Sequence, residues 1–241
     1  MLISIVTIFP DFFAEVFDFG MIRQGRKKGL LETEIVDLRA FAPDERKTVD
    51  DRSYGGGEGM VLKPELIFEA VEKCQEKRGD KGRVILLSPQ GRRFDQKKAN
   101  ELSLVPHMIL ICGRYEGVDQ RVADYLADEE LSVGDFVLSG GEFAACSVVD
   151  AVSRLIPGVV GKGNSVLEES FMDDLLDFPH YTRPAEFRGW KVPDILLSGD
   201  HVRIQRWRRQ KAVERTQQKR PDLLKEESCL EDRVALKRTE V

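Results

Sequence analysis

Apolar positions along the chain fall into short uniform runs separated by stretches of helical spacing, an alternation that predicts an α/β fold on a mainly parallel sheet. Residues 2–8, LISIVTI, predict a buried first strand. Pro10 and Asp11 open a helical stretch through Phe19, a short basic segment covers 23–28, and alternation over 32–38 predicts a second strand. Leu66, Ile67, Ala70, Val71 and Cys74 form one apolar stripe on a helix over 63–77. A short strand at 84–87 stops at Ser88-Pro89-Gln90-Gly91, and a helix at 95–103 follows. The next strand, 108–112, ends in Gly113-Arg114-Tyr115-Glu116-Gly117 and leads to a helix at 118–126. The stretch 131–142, LSVGDFVLSGGE, reads as strand, turn and helix start with Ser139 as the cap, and a helical pattern continues over 143–156.

Three successive strands therefore finish in loops of one character: SPQG, GRYEG and the segment 134–141. Ligands of open parallel sheets lie at the carboxyl ends of the strands. Glycine lacks the Cβ that keeps a ligand off the main chain, so converging ends of this kind make a pocket of bare amides and carbonyls for a flat ring. An earlier loop, TVDDRSYGGGEGM at 48–60, is either a segment that orders on a ligand or a plain flexible connector. Neither it nor Gly161-Lys162 matches the phosphate-cradling GxxxxGK[ST] pattern, which counts against a nucleotide triphosphatase.

Residues 157–166, PGVVGKGNSV, lack periodicity and read as an interdomain linker. In the helical, charged last third, Ser198 or Asp200 caps a helix through Thr216 with Ile204 and Trp207 facing inward. From Asp200 to Arg220 eight basic residues stand against two acids, in a chain whose net charge is −5. That local excess is either a phosphate-backbone contact or a solvated helix face. The four cysteines are far apart, so no CxxC metal site or disulfide framework is expected. The apolar N-terminus lacks the basic region and cleavage site of a signal peptide, no run reaches membrane-spanning length, and cytoplasm is the expectation.

SPQGR at 88–92, CGRYEGVDQRV at 112–122, SVGDFVLSGGE at 132–142, VSRLIPGV at 152–159 and FPHYTRP at 178–184 resemble the bacterial tRNA (guanine-N1)-methyltransferase family, as does the glycine-rich loop. The likeness runs in unbroken order over residues 1–220. It implies a knotted (SPOUT-class) α/β fold with a deep trefoil knot at the cofactor site. It divides the chain into a cofactor-binding domain at 1–157, a flexible linker at 158–168 and a helical tRNA-binding domain at 169–241. It further implies an obligate homodimer with a shared active site, S-adenosylmethionine as donor, stimulation by magnesium, and as acceptor the guanosine immediately 3′ of the anticodon.

Methyl transfer from a sulfonium is an in-line displacement in which the protein chiefly positions two partners. Guanine N1 carries a proton at neutral pH, so a base must remove it and a cation must hold the charge that builds on O6. By family position Arg154 is that cation. Glu169 stands where the family has an aspartate before Ser-Phe, and either it or Glu168 or another group is the base. The extra methylene re-aims the carboxylate, a displacement that can cost up to ~100-fold in rate.

The resemblance assigns Leu87, Ser88, Pro89, Gly113, Tyr115, Glu116, Val133, Gly134, Asp135, Phe136, Val137, Leu138, Gly140 and Gly141 to the cofactor, with Asp177 added across the dimer. Phe136 either stacks on the adenine or belongs to the core. Substrate contacts fall to Asp50, Arg52, Gly55, Gly56, Gly57, Gly59, Ser170, His180, Arg203, Arg206 and Arg209. No metal-ligand cluster is expected. The competing readings are a knotted-class enzyme acting on another RNA or on ribose 2′-OH, and a non-catalytic RNA-binding relative. FPHYTRP and the C-terminal third argue against the first, the intact glycines and Arg154 against the second.

Overall fold

The uniform apolar runs become the inner strands of a parallel sheet buried on both faces. The computed structural model describes residues 1–160, 169–171 and 174–224, in two units, Met1–Gly163 and Asn164–Val241. Along the first unit run β1 (Leu2–Thr7), α1 (Phe12–Val16), α2 (Gly20–Lys27), β2 (Glu32–Asp37), β3 (Asp50–Asp51), β4 (Val61–Leu62) and α3 (Pro64–Arg78). Then come β5 (Arg83–Arg93), α4 (Gln96–Leu102), β6 (His107–Cys112), α5 (Gln120–Tyr125), β7 (Glu129–Ser132) and α6 (Glu142–Ser153). Five strands pair in the order β2-β1-β6-β5-β7, every pair parallel.

Successive side chains of a strand point to opposite faces, and β6 shows the result. Met108, Leu110 and Cys112 join one apolar cluster with residues of α1, α2, α4 and α6, while Ile109 and Ile111 join a second with α3 and α5. All six residues of β1 and of β6 are buried, the burial expected of parallel strands covered on both sides. The buried His107 is partnered: it lies 3.2 Å from Ser4 Oγ and 2.7 Å from Asp80 Oδ1.

Several expectations need correction. The basic segment at 23–28 lies mostly within α2, an amphipathic helix whose buried positions are Ile22 and Gly25. The strand expected to stop at 87 continues to Arg93, and Leu131 of β7 is in register with both Leu87 and Arg92, so residues 88–91 bulge out of the ladder. Gly91 permits the bulge, since a Cβ there would strike the main chain of Glu130. Ser139 does not cap α6; the cap position is Gly141, with no side-chain bond, and the acidic Glu142 occupies the first turn, where the helix dipole favours negative charge.

In the second unit a two-stranded hairpin (Glu186–Phe187 with Trp190–Lys191) precedes the short helix Asp194–Leu197 and the long helix His201–Lys219. Asp200 caps the long helix by accepting from the Arg203 N–H at 3.0 Å. Its buried residues are Ala212, Val213 and Thr216, whereas Ile204 and Trp207, expected to face inward, are only half-buried. Ala212 and Val213 pack with Leu175, Phe178 and Leu224. Most of the expected linker, Glu168, Cys229 and the tail after Leu224 lie outside the described residues. Among those described, no helix is long and apolar enough to cross a membrane.

Candidate active site

β6, β5 and β7 are neighbours in the sheet, so their carboxyl ends meet. Between them lies a cavity of about 360 Å³, within the range typical of small-molecule sites. The bulge after β5 contributes Leu87, Ser88 and Pro89, the loop after β6 contributes Gly113, Tyr115 and Glu116, and the segment after β7 contributes Val133, Gly134, Phe136, Val137, Leu138, Gly140 and Gly141. Of the residues assigned to the cofactor, Asp135 is exposed and does not line the cavity, and Asp177 belongs to the second unit.

Main-chain contacts hold the walls together. Gly141 N–H donates to Gly113 O at 2.9 Å, and Arg114 and Gly140 form an antiparallel bridge. A Cβ on Gly141 would sit 2.7 Å from Cys112 Cα, and one on Gly140 would collide with the Arg114 side chain. At Gly113 an added Cβ would make only ordinary van der Waals contacts, the nearest with Val118 at 3.7 Å. Phe136 folds back over Gly134 and is 56% exposed, with Val137 85% exposed. Phe136 is therefore not a core residue.

The glycine-rich loop reaches the same place. β3 and β4 pair at its base, and Leu62 N–H donates to Gly117 O at 3.1 Å while Glu116 N–H donates to Met60 O at 3.0 Å. Gly55, Gly56, Gly57 and Gly59 all have positive φ, a conformation that costs other residues strain. A side chain on Gly59 would run into Glu116. Asp50 is half-buried and Arg52 exposed along this loop.

Beneath the cavity is a network that sequence reasoning missed. Glu142, 1% exposed, accepts from Thr7 Oγ1 at 2.9 Å and from Arg114 Nε at 3.2 Å, and the Arg114 guanidinium lies over the Phe9 ring at 4.6 Å. A buried carboxylate persists only when paired and hydrogen-bonded. This one ties the end of β1, the loop after β6 and the start of α6 together. No spacing in the sequence relates positions 7, 114 and 142, so nothing in it signalled the link. Burial first, and then the Glu142 charge, pushes the Cys146 thiol up to about 11 and the Cys112 thiol well above its usual range. Both are protonated at neutral pH and are poor nucleophiles.

Arg154 is the C-cap of α6, the helix that begins at the cavity wall. Thirteen steps at about 1.5 Å each put it roughly 20 Å along the helix from Gly141. In the second unit, the Asp177 N–H donates to Ser170 Oγ at 2.9 Å, and the Asp177 carboxylate meets His180 Nε2 at 2.8 Å. Glu169 is half-buried beside Ser170. Of the basic residues on the long helix, Arg203, Arg206, Arg209 and Lys219 are exposed, while Lys211 pairs with Glu214 at 2.6 Å. Among the described residues, no group of three or more His, Cys, Asp or Glu side chains could hold a metal.

Comparison with known proteins gives one answer. A family model described as "tRNA (Guanine-1)-methyltransferase TrmD" matches residues 1–226. A protein of Koribacter versatilis named tRNA (guanine-N(1)-)-methyltransferase is 53% identical, over 93% of this chain and 92% of its own length. Proteins of the same name from Dictyoglomus turgidum (52% identical; 97% and 94%) and Geobacillus kaustophilus (51%; 94% and 92%) are similarly related.

Proposed function

Because the chain belongs to the tRNA (guanine-1)-methyltransferase family, we propose that it transfers the methyl group of S-adenosylmethionine to N1 of the guanosine immediately 3′ of the anticodon in tRNA. The observation that carries this reading is the cavity where three parallel strands end, walled by main chain at Gly113, Gly140 and Gly141. Its size and its bare amides and carbonyls suit the donor's flat adenine, with Leu87, Tyr115 and Leu138 for apolar contact. The bound donor supplies an electrophilic methyl on a sulfonium. The loop bearing Asp50, Arg52 and Gly59, joined to the cavity through Glu116, is the part of the first unit assigned to the target guanosine and its neighbour.

Glu169 takes the N1 proton and Arg154 holds the charge left on O6. The length of α6 supports a site shared between two copies of the chain: an arginine roughly 20 Å down the helix does not reach back to its own cavity. The exposed Phe136 and Val137 leave apolar surface for that partner or for the donor. The trefoil knot is a further part of the reading, supported by the way the segment after β7 returns against the loop after β6. The domain division at 158–168, tRNA binding by the second unit and a cytoplasmic location belong to the same proposal. Magnesium finds no protein ligand set among the described residues, and no step is assigned to it.

Labelled donor incubated with unmodified tRNA transcripts tests the reading. Label should enter only transcripts with guanosine 3′ of the anticodon and should map to N1. Arg154→Ala should abolish turnover with donor affinity nearly unchanged, Glu169→Gln should be nearly inactive, and Glu169→Asp at least as active as the parent. Full activity in the glutamine variant would place the base elsewhere.

A further inference from the structure

We infer that Arg215, with Thr216 beside it, is a positioning residue for methyl transfer: it fixes the segment carrying Glu169, Ser170 and Asp177 and does not bind phosphate. Sequence counting had placed Arg215 among eight basic residues of a possible nucleic-acid face. The contacts within the second unit give it another task.

Asp177 is the hub of the segment. Its N–H donates to Ser170 Oγ, and its carboxylate accepts from the Phe178 N–H at 2.7 Å and meets His180. Its carbonyl accepts from Arg215 Nη1 at 3.0 Å. One residue earlier, the Leu176 N–H donates to Thr216 Oγ1 at 2.9 Å, and that hydroxyl donates in turn to Ala212 O at 2.7 Å. Thr216 is fully buried, and its hydroxyl both accepts and donates. Two successive helix residues thus hold two successive residues of the segment, which restricts both its position and its rotation.

The grip extends along the helix. Arg208 precedes Arg215 by seven residues, which places both on one helix face, and its guanidinium lies 4.8 Å over the Phe178 ring. Arg220 lies 5.8 Å over the Phe171 ring. Three arginines therefore contact Phe178, Asp177 and Phe171 in turn, while Arg203, Arg206 and Arg209 are exposed. Arg215 is half-buried and commits one guanidinium N–H to the Asp177 carbonyl, a charge-assisted bond that turns the side chain toward the segment.

The consequence for the reaction rests on the reading of Glu169 as the base. A general base acts only within hydrogen-bond reach of its proton, and displacement by about 1 Å can cost ~100-fold in rate. Loosening Asp177 frees Ser170, and with it the neighbouring carboxylate.

The test uses full-length Arg215→Met, Arg215→Lys, Thr216→Val and Thr216→Ser, the serine and lysine variants serving as conservative rescues that retain the fold. Single-turnover rate, tRNA Kd across salt concentrations and amide exchange of residues 170–178 are measured. Arg215→Met should slow the chemical step by about 10- to 100-fold, leave the salt dependence of tRNA binding unchanged, and speed exchange at the Leu176 and Asp177 amides. Arg215→Lys should recover part of the rate, and Thr216→Ser should recover what Thr216→Val loses. A salt slope reduced by about one with unchanged rate, the signature of a lost phosphate contact, overturns the inference; so does faster exchange with unchanged rate. Amide exchange needs no turnover, so full activity of Glu169→Gln would remove the base assignment while the exchange result still decides whether Arg215 holds the segment.

Discussion

The two units place their chemical groups by opposite means. In the first, the cavity wall is main chain held by main chain, with Gly141 bonded to Gly113, Arg114 bridged to Gly140 and Leu62 bonded to Gly117. In the second, Leu176, Asp177 and Phe178 are held by side chains of one helix, through Thr216, Arg215 and Arg208. A wall of main chain is encoded by side chains that are missing, and replacing them fails by collision. A segment held by side chains is encoded by residues of the same type as those facing solvent, so only their partners separate the two roles.

The comparison breaks most severely if the first unit's main-chain wall depends on side chains after all, and Glu142 is where that is tested. Arg114→Met leaves a carboxylate that is 1% exposed with, among the described residues, the Thr7 hydroxyl as its remaining partner. Removing one partner of a buried pair costs about 3–5 kcal/mol, and the 24% exposure of the Arg114 side chain argues for the lower end, about 3 kcal/mol. Urea denaturation should show a correspondingly lower midpoint for Arg114→Met, and a smaller loss for Glu142→Gln, which keeps a polar group opposite Thr7. An unchanged midpoint in Arg114→Met would show that the wall stands without the pair beneath it.

What the sequence disclosed follows the same division. The strands of the sheet were legible because parallel strands buried on both faces leave uniform apolar runs, and the cavity was legible because its glycines are conspicuous. The bulge at 88–91 was not, because register is set by pairing with Leu131 and not by local propensity. α2 was hidden by its basic residues, which lie on the exposed side of an amphipathic helix. The buried link among Thr7, Arg114 and Glu142 joins residues 135 and 28 positions apart, and no local pattern carries it. On the long helix the charge count alone does not separate the roles, since Arg208 and Arg215 are turned toward Phe178 and Asp177 while Arg203, Arg206 and Arg209 are exposed.

Two glycines a few ångströms apart in role sharpen the contrast. Gly141→Ala sets a methyl against Cys112 Cα at 2.7 Å, backbone that cannot swing aside, so the bond to Gly113 must stretch. Overpacking of this kind costs about 1–3 kcal/mol, and the variant should lose stability together with ~10- to 100-fold in donor affinity by calorimetry. Gly113→Ala meets only ordinary contacts, so it should keep the parent's stability and lose donor affinity alone, because it adds a methyl to a residue of the cavity wall. Equal behaviour of the two variants would mean that the glycines serve the turn and not the ligand.

The smallest effects belong to the outward side of the long helix, where they separate phosphate contacts from grips. Arg203→Ala, Arg206→Ala and Arg209→Ala remove exposed charges from a helix whose inward arginines stay in place. Each lost phosphate contact should reduce the slope of log affinity against log salt by about one, weaken tRNA binding at low salt by a few-fold, and leave the single-turnover rate at saturating tRNA unchanged. The weakening should be uniform across tRNA species, since phosphate contacts carry no base information. If any of the three instead lowers the rate while sparing the salt slope, that residue belongs with Arg215, and the line between the two faces of the helix must be redrawn.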